Sequence, residues 1–128
     1  MKGPVVALST AAGAEDAERI ARALVEAGVA ACVNVVPGVV SVYRWKGAIE
    51  RDAEALLVIK TRGERFADLQ AALLAAHRYE VPELLAFEVA AGHRPYLDWL
   101  DASVRAPRRR PAPARGRPPG PRRPRSRR

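Results

Sequence analysis

The sequence has too little cysteine for a disulfide framework. Cys32 is the only cysteine among 128 residues, so the chain cannot form an internal disulfide and has no CxxC motif. It has two histidines, His77 and His93, and no HxxxH pair. These residue types alone cannot complete a structural zinc site of the four-ligand kind. Any metal site is therefore expected to be open, assisted by carboxylates or shared between subunits.

Long apolar runs are also missing. Hydrophobic residues make up 48% of the chain, yet no uninterrupted run reaches the roughly 18 to 20 residues that a membrane-spanning helix requires. The apolar stretch at residues 5–8 is too short for the hydrophobic region of a signal peptide. These absences predict a soluble protein in the cytoplasm, with no membrane association.

The usual catalytic motifs are absent as well. The chain has no glycine-rich phosphate loop and no recognisable Ser/His/Asp set, so no nucleophile can be nominated from the sequence. We therefore expect that the protein is not an enzyme.

Acidic residues are absent from the C-terminal end of the chain. Residues 105–128 hold 11 arginines and no acidic residue, while residues 1–104 hold 11 basic and all 14 acidic residues, a net charge of −3. Because residues 105–128 contain no Leu, Ile, Phe, Tyr or Trp, they cannot offset the entropy cost of ordering. We predict one domain over residues 1–104 and a disordered Arg/Pro-rich tail over residues 105–128. Two interpretations of the tail stay open: weak contact with nucleic acid or another polyanion, and a solvated extension without a role.

The hydrophobic period of residues 1–104 switches between the values typical of strands and helices. Strands are predicted at residues 5–10, 30–45, 54–61 and 84–90. Helices are predicted at residues 15–27 and 66–76, with a short closing helix that starts near Pro95. Pro37-Gly38 predicts a bulge or kink in the second strand. The order is that of an α+β, ferredoxin-like βαββαβ sandwich with an extra C-terminal helix, and the apolar residues on both faces of the third strand favour self-association.

Five segments together resemble the CutA divalent-cation tolerance family in order and spacing. They are AACVNV at 30–35, SVYRWKG at 41–47, EALLVIKT at 54–61, HRYEVPE at 77–83 and YLDWL at 96–100. The resemblance implies a PII-like homotrimer associated with tolerance to copper and other divalent cations, and no established catalytic reaction. One position departs from the family pattern, because Arg78 stands where proline usually follows the histidine.

Three residues are candidate metal ligands. Cys32 as a thiolate favours soft ions such as Cu(I), and the alternative is a small buried side chain. His77 and Glu80 lie three residues apart just after a predicted helix, where imidazole and carboxylate can converge on a divalent ion. In the alternative, His77 caps the helix, and Glu80 accepts a hydrogen bond or pairs with a neighbouring subunit. The predicted cofactor is a divalent metal ion, with copper as the leading candidate.

Five further residues are candidates for a ligand cleft between subunits. Tyr43, Trp45 and Tyr79 are amphipathic aromatics that suit a half-apolar cleft, and Lys60 and Glu83 supply charged groups. The alternatives are core or interface packing for the aromatics and surface ion pairs for the charged groups. The leading hypothesis is a trimer that binds or responds to divalent metal ions. A PII-like signalling module or enzyme that binds a small anion in the cleft is the second, and nucleic-acid binding through the tail is the third.

Overall fold

The structure, a computed structural model, describes residues 1–104, so the predicted tail at 105–128 lies outside the described residues. The elements in chain order are β1 (Pro4–Ala11), α1 (Ala14–Glu26), β2 (Cys32–Trp45), β3 (Ala48–Arg62), a 3-10 turn (Gly63–Arg65), α2 (Phe66–Ala76), β4 (Leu85–Glu88) and α3 (Arg94–Ser103). This order confirms the predicted βαββαβ arrangement with a closing helix. No helix within residues 1–104 combines the length and the apolar character needed to cross a membrane.

The four strands form one antiparallel sheet in the order β2-β3-β1-β4. Inward-facing residues of β1 and β3 pack with α1 and α2 into one apolar core, whose largest fully buried side chains include Ile20, Leu24, Leu57, Ile59, Leu69 and Leu73. Burying one such side chain contributes about 1.5 to 3 kcal/mol. The helices therefore hold one face of the sheet firmly in place.

The opposite face of the sheet keeps apolar side chains partly exposed. On the edge strand β4, Leu85 and Phe87 are each 53% exposed. They pair with Leu8 and Val6 of β1, whose side chains share this face. Exposed apolar residues along an edge strand are a surface that another chain can cover.

A bulge in β2 decides which side chains share this open face. Val36 pairs with Leu56, and Val39 pairs with Glu54, so three steps along β2 oppose two steps along β3. Gly38, at φ +77°, adopts the left-handed conformation that this extra residue needs. Because side chains alternate along a strand, the extra residue moves the following odd-numbered residues to the open face. They are Ser41, Tyr43 and Trp45. Of the bulge or kink predicted at Pro37-Gly38, the structure shows the bulge.

Beyond the bulge, β2 and β3 extend past the rest of the sheet as a two-stranded arm. β1 pairs with β3 only between Ala55 and Arg62, so residues 48–54 pair with β2 alone. The arm turns at Lys46 and Gly47, whose φ values of 50° and 84° are typical of a two-residue type I′ turn. Its exposed apolar side chains are Val40, Val42, Trp45 and Ile49. We call residues 39–54 the β2–β3 arm.

The fourth strand is shorter than predicted. Residues 84–90 were expected to be extended, whereas β4 covers only Leu85–Glu88. The reason is the length of its partner, because β1 begins at Pro4. The amide of Val89 still donates to the carbonyl of Pro4 at 3.1 Å, and beyond this bond β1 offers no further backbone to pair with.

Candidate functional site

A groove of about 580 Å³ lies between the β2–β3 arm and the loop that follows α2. Its charged lining consists of four carboxylates, those of Asp52, Glu54, Glu80 and Glu83. No lysine or arginine of the described part of the chain lines it. Its aromatic lining is Tyr43, Trp45 and Tyr79, and Thr10, Ser41, Val42 and Val81 complete the walls. We call this feature the acidic groove.

The register of the arm brings Tyr43 to Asp52. Tyr43 pairs with Glu50, so Asp52 lies at the diagonal position on the same face of the ladder. The Tyr43 hydroxyl donates a hydrogen bond to Asp52 Oδ2. This hydrogen bond is the main reason that the pKa of Tyr43 is raised from 10.0 to about 12. Tyr43 is therefore a neutral donor over the physiological pH range.

A second tyrosine–carboxylate pair lies deeper in the groove. The Tyr79 hydroxyl donates to Glu54 Oε2, and Glu54 is only 8% exposed. Burial, followed by this hydrogen bond, raises the pKa of Tyr79 well above its usual range. The pair joins the loop after α2 to the arm.

Both ring nitrogens of His77 already have partners. His77 ends α2, where its amide donates to the carbonyl of Leu73. Nε2 lies 2.7 Å from the Thr10 carbonyl oxygen, and Nδ1 accepts a hydrogen bond of 3.1 Å from the Tyr79 amide. A neutral ring with its proton on Nε2 satisfies both contacts. In this arrangement His77 anchors the loop and has no free lone pair for a metal ion.

Arg78 contacts α1 and does not line the groove. Its Nε lies 3.4 Å from Asp16 Oδ1. The same oxygen forms an ion pair with Arg19 Nη2 at 2.8 Å. The Arg78 side chain is 72% exposed, so this ion pair contributes little to stability. The Arg78 cation is thus directed at the first turn of α1.

Cys32 and Lys60 form a separate cluster. Cys32 Sγ lies 3.9 Å from Lys60 Nζ, which also donates to Asn34 Oδ1. Cys32 lies opposite Lys60 of β3. His77 contacts Thr10, which lies opposite Leu56 of the same strand. The separation of four residues along β3 corresponds to about 13 Å. Within one chain, the structure therefore does not bring Cys32 to His77 and Glu80.

The residues predicted for the ligand cleft divide in the same way. Tyr43, Trp45, Tyr79 and Glu83 meet in the acidic groove, together with the predicted metal ligand Glu80. Lys60 does not line the groove and lies beside Cys32. Asp52 and Glu54 also line the groove, and neither was predicted from the sequence. The two-residue turn after Trp45 is the signal that could have found Asp52, because it sets the register that places Asp52 diagonal to Tyr43.

Sequence comparison assigns the family. The family model described as "CutA1 divalent ion tolerance protein" matches residues 5–103. The chain belongs to the CutA1 family. The CutA1 relative from Thermus thermophilus, "Divalent-cation tolerance protein CutA", is 50% identical over 95 residues, which are 74% of this chain and 92% of the relative. "Protein CutA, chloroplastic" from Arabidopsis thaliana is 41% identical over 101 residues, 79% of this chain but only 56% of that relative.

A solved CutA structure shows the same fold. The "PII-like protein CutA from Nostoc sp. PCC 7120 in apo form" superposes with a TM-score of 0.72 at 38% identity, and the match covers 81% of this chain and 97% of that one. The predicted family and the predicted ferredoxin-like, PII-like α+β fold are therefore confirmed.

The donor atoms of residues 1–104 of this CutA1 chain do not form a complete metal site. Among residues 1–104, no three His, Cys, Asp or Glu side chains are placed to hold one ion together. The groove offers carboxylate oxygens, which suit hard cations, whereas the softer thiol of Cys32 lies outside it. A site that combined these two donor types would therefore need more than one copy of the chain, because Cys32 lies beside Lys60, away from the groove.

Proposed function

We propose that this CutA1 protein is a non-catalytic homotrimer in the cytoplasm that binds or responds to divalent metal ions, copper among them. The observation that carries the proposal is the lining of the acidic groove, with four carboxylates and no basic side chain from residues 1–104. A concave surface of one charge sign concentrates counterions. Membership of a divalent ion tolerance family supports the same conclusion.

The apolar surface supports assembly. Phe87 and Leu85 on the edge strand, and Val42 and Ile49 on the arm, are each more than half exposed. A stable interface buries about 800 Å² on each partner, and both sheet edges, β2 and β4, are available to pair. We expect light scattering to give the mass of a trimer at micromolar concentration. A stable monomer would contradict the proposal.

Glu80 is the accessible metal donor, because its exposed carboxylate lines the groove. Cys32 is partly exposed, so it can contribute when a second subunit brings further donors to it. His77 can contribute once it gives up its contact with Thr10 or Tyr79. We propose that the metal site is shared between subunits for this reason.

The charge of the groove disfavours the anionic-ligand alternative. A small anion held between Glu54, Glu80 and Glu83 would meet like charges on every side, with no cation from residues 1–104 lining the groove. Neither a PII-like module for an anionic effector nor an enzyme acting on one is favoured by the arrangement within one subunit.

Calorimetric titration of the full chain with Cu²⁺ and Zn²⁺ tests the metal proposal. We expect Glu80→Gln, His77→Ala and Cys32→Ala each to weaken binding, whereas Glu15→Gln, the same charge change at an exposed position of α1, leaves it unchanged. Binding is expected to weaken in mildly acidic solution, because imidazole and thiolate bind metals only when deprotonated. Equal affinity in all four variants would show that these residues do not hold the ion.

A further inference from the structure

The acidic groove and the C-terminal segment of the chain have opposite charge. The groove carries four carboxylates. Residues 105–128 carry 11 arginines and no acidic residue, and residues 1–104 have a net charge of −3. We propose that residues 105–128 bind in the acidic groove of the same or a neighbouring subunit, so that the chain supplies a ligand for its own groove. This inference does not depend on metal binding.

The carboxylates on the rim of the groove are free to accept arginine. Glu80 and Glu83 are exposed, and their carboxylates have no ion-pair partner among residues 1–104. A guanidinium group binds a carboxylate through two parallel hydrogen bonds, and it stacks on aromatic faces. A groove with free carboxylates beside aromatic rings therefore has both features that recognise arginine.

The aromatic and apolar walls favour this segment over a bare ion. Tyr43 and Trp45 are each 39% exposed, and Val42 and Val81 are each 66% exposed. Lys46 Nζ already lies 5.7 Å from the centroid of the Trp45 ring, which shows that a cation can approach this ring. Aromatic-lined grooves also bind proline-rich segments, and seven prolines lie between the arginines of residues 105–128.

The segment is long enough to reach the groove. The described chain ends at Val104, just after α3. The end of α3 lies near the start of β1, because Asp101 contacts Arg62, which pairs with Pro4. The groove lies near the other end of β1, at Thr10. Pro4 and Thr10 are about 20 Å apart along β1. A proline-rich segment of 24 residues spans up to about 70 Å when extended. It can therefore reach its own groove or one on a neighbouring subunit.

The probe for the test is a fluorescent peptide with the sequence of residues 105–128. It is titrated against the full chain and against a chain that ends at Val104, which keeps every strand and helix of the fold. Circular dichroism and light scattering first verify that the shortened chain has the same thermal midpoint and the same number of subunits as the full chain. We expect fluorescence anisotropy to show binding to the shortened chain that weakens with salt. The full chain is expected to bind the peptide at least tenfold more weakly, because its own segment competes at high effective concentration.

Matched double variants of the shortened chain test the location. Glu80→Gln with Glu83→Gln is expected to weaken peptide binding at least fivefold, whereas Glu15→Gln with Glu18→Gln, the same charge change on α1, changes it less than twofold. Equal loss in both variants would show unspecific charge attraction and overturn the inference. Absence of binding to the shortened chain would also overturn it, and would favour a second copy of the chain as the occupant of the groove.

A DNA duplex distinguishes the groove from nucleic acid as the partner of the segment. In the full chain, neutralising Glu80 and Glu83 releases the segment, so the duplex is expected to bind this variant more tightly than the Glu15→Gln, Glu18→Gln variant. Equal binding of the duplex by both variants would mean that the groove does not hold the segment.

Discussion

Replacing Tyr79 by phenylalanine removes one hydroxyl from the acidic groove and leaves the ring in place. That hydroxyl donates to Glu54 Oε2, and Glu54 is 8% exposed. A hydrogen bond to a charged group contributes about 1.5 to 3 kcal/mol. When a buried acceptor loses its donor, water cannot fully replace the lost hydrogen bond. Because Tyr79 itself is only half-buried, we expect a loss of about 1 to 2 kcal/mol in the free energy of unfolding.

Tyr43→Phe is the matched control, because it also removes one tyrosine hydroxyl from the groove. Its acceptor, Asp52, is exposed, so water can replace the lost donor. We expect a clearly smaller loss of stability than for Tyr79→Phe. Far-UV circular dichroism in urea gives both free energies, and the protein concentration is held fixed because the proposed assembly would be linked to folding. Equal losses in the two variants would refute the role assigned to the burial of Glu54.

Three further predictions concern the bulge, an ion pair and the interface. Gly38→Ala places a side chain at φ +77°, where the added Cβ meets no atom within 4 Å. The left-handed backbone alone should therefore lower the free energy of unfolding, measured in urea, by about 1 to 2 kcal/mol; an unchanged value would argue against a left-handed residue. Hydrogen bonds from Arg62 and the backbone lower the pKa of Glu64 from 4.5 to about 2. Its stabilising contribution is therefore present above pH 4.5 and lost as the pH falls towards 2, and Glu64→Gln should flatten stability over that window; an identical decline in the variant would contradict this. Phe87→Lys should lower the mass measured by light scattering, and an unchanged mass would place β4 outside the interface.

Much of the fold follows from local patterns in the sequence. The switch between strand and helix periods predicts the four strands and three helices, but not the 3-10 turn at Gly63–Arg65. Pro37-Gly38 predicts a bulge or kink, because proline and glycine restrict or free the backbone wherever they occur. The length of β4 could not be predicted in this way. Residues 84–90 have a uniform strand pattern, but the strand ends where β1 has no more backbone to pair with.

The candidate site was only partly predictable. Tyr43, Trp45, Tyr79, Glu80 and Glu83 were selected by residue type, and all five line the acidic groove. Lys60 was selected on the same grounds but lies beside Cys32. Residue type does not reveal the strand register that separates these positions.

The sequence by itself determined the order of the elements, the family, and the separation of an acidic domain from an arginine-rich end. These properties depend on composition and on short-range spacing, which the chain carries before it folds. Only the tertiary structure decided that Asp52 and Glu54 face Tyr43 and Tyr79, that both nitrogens of His77 are engaged, and that Cys32 lies apart from Glu80. These contacts depend on the register between strands, which is set by one bulge and one two-residue turn. A local sequence pattern does not reveal that register, because the residues that meet are far apart in the chain.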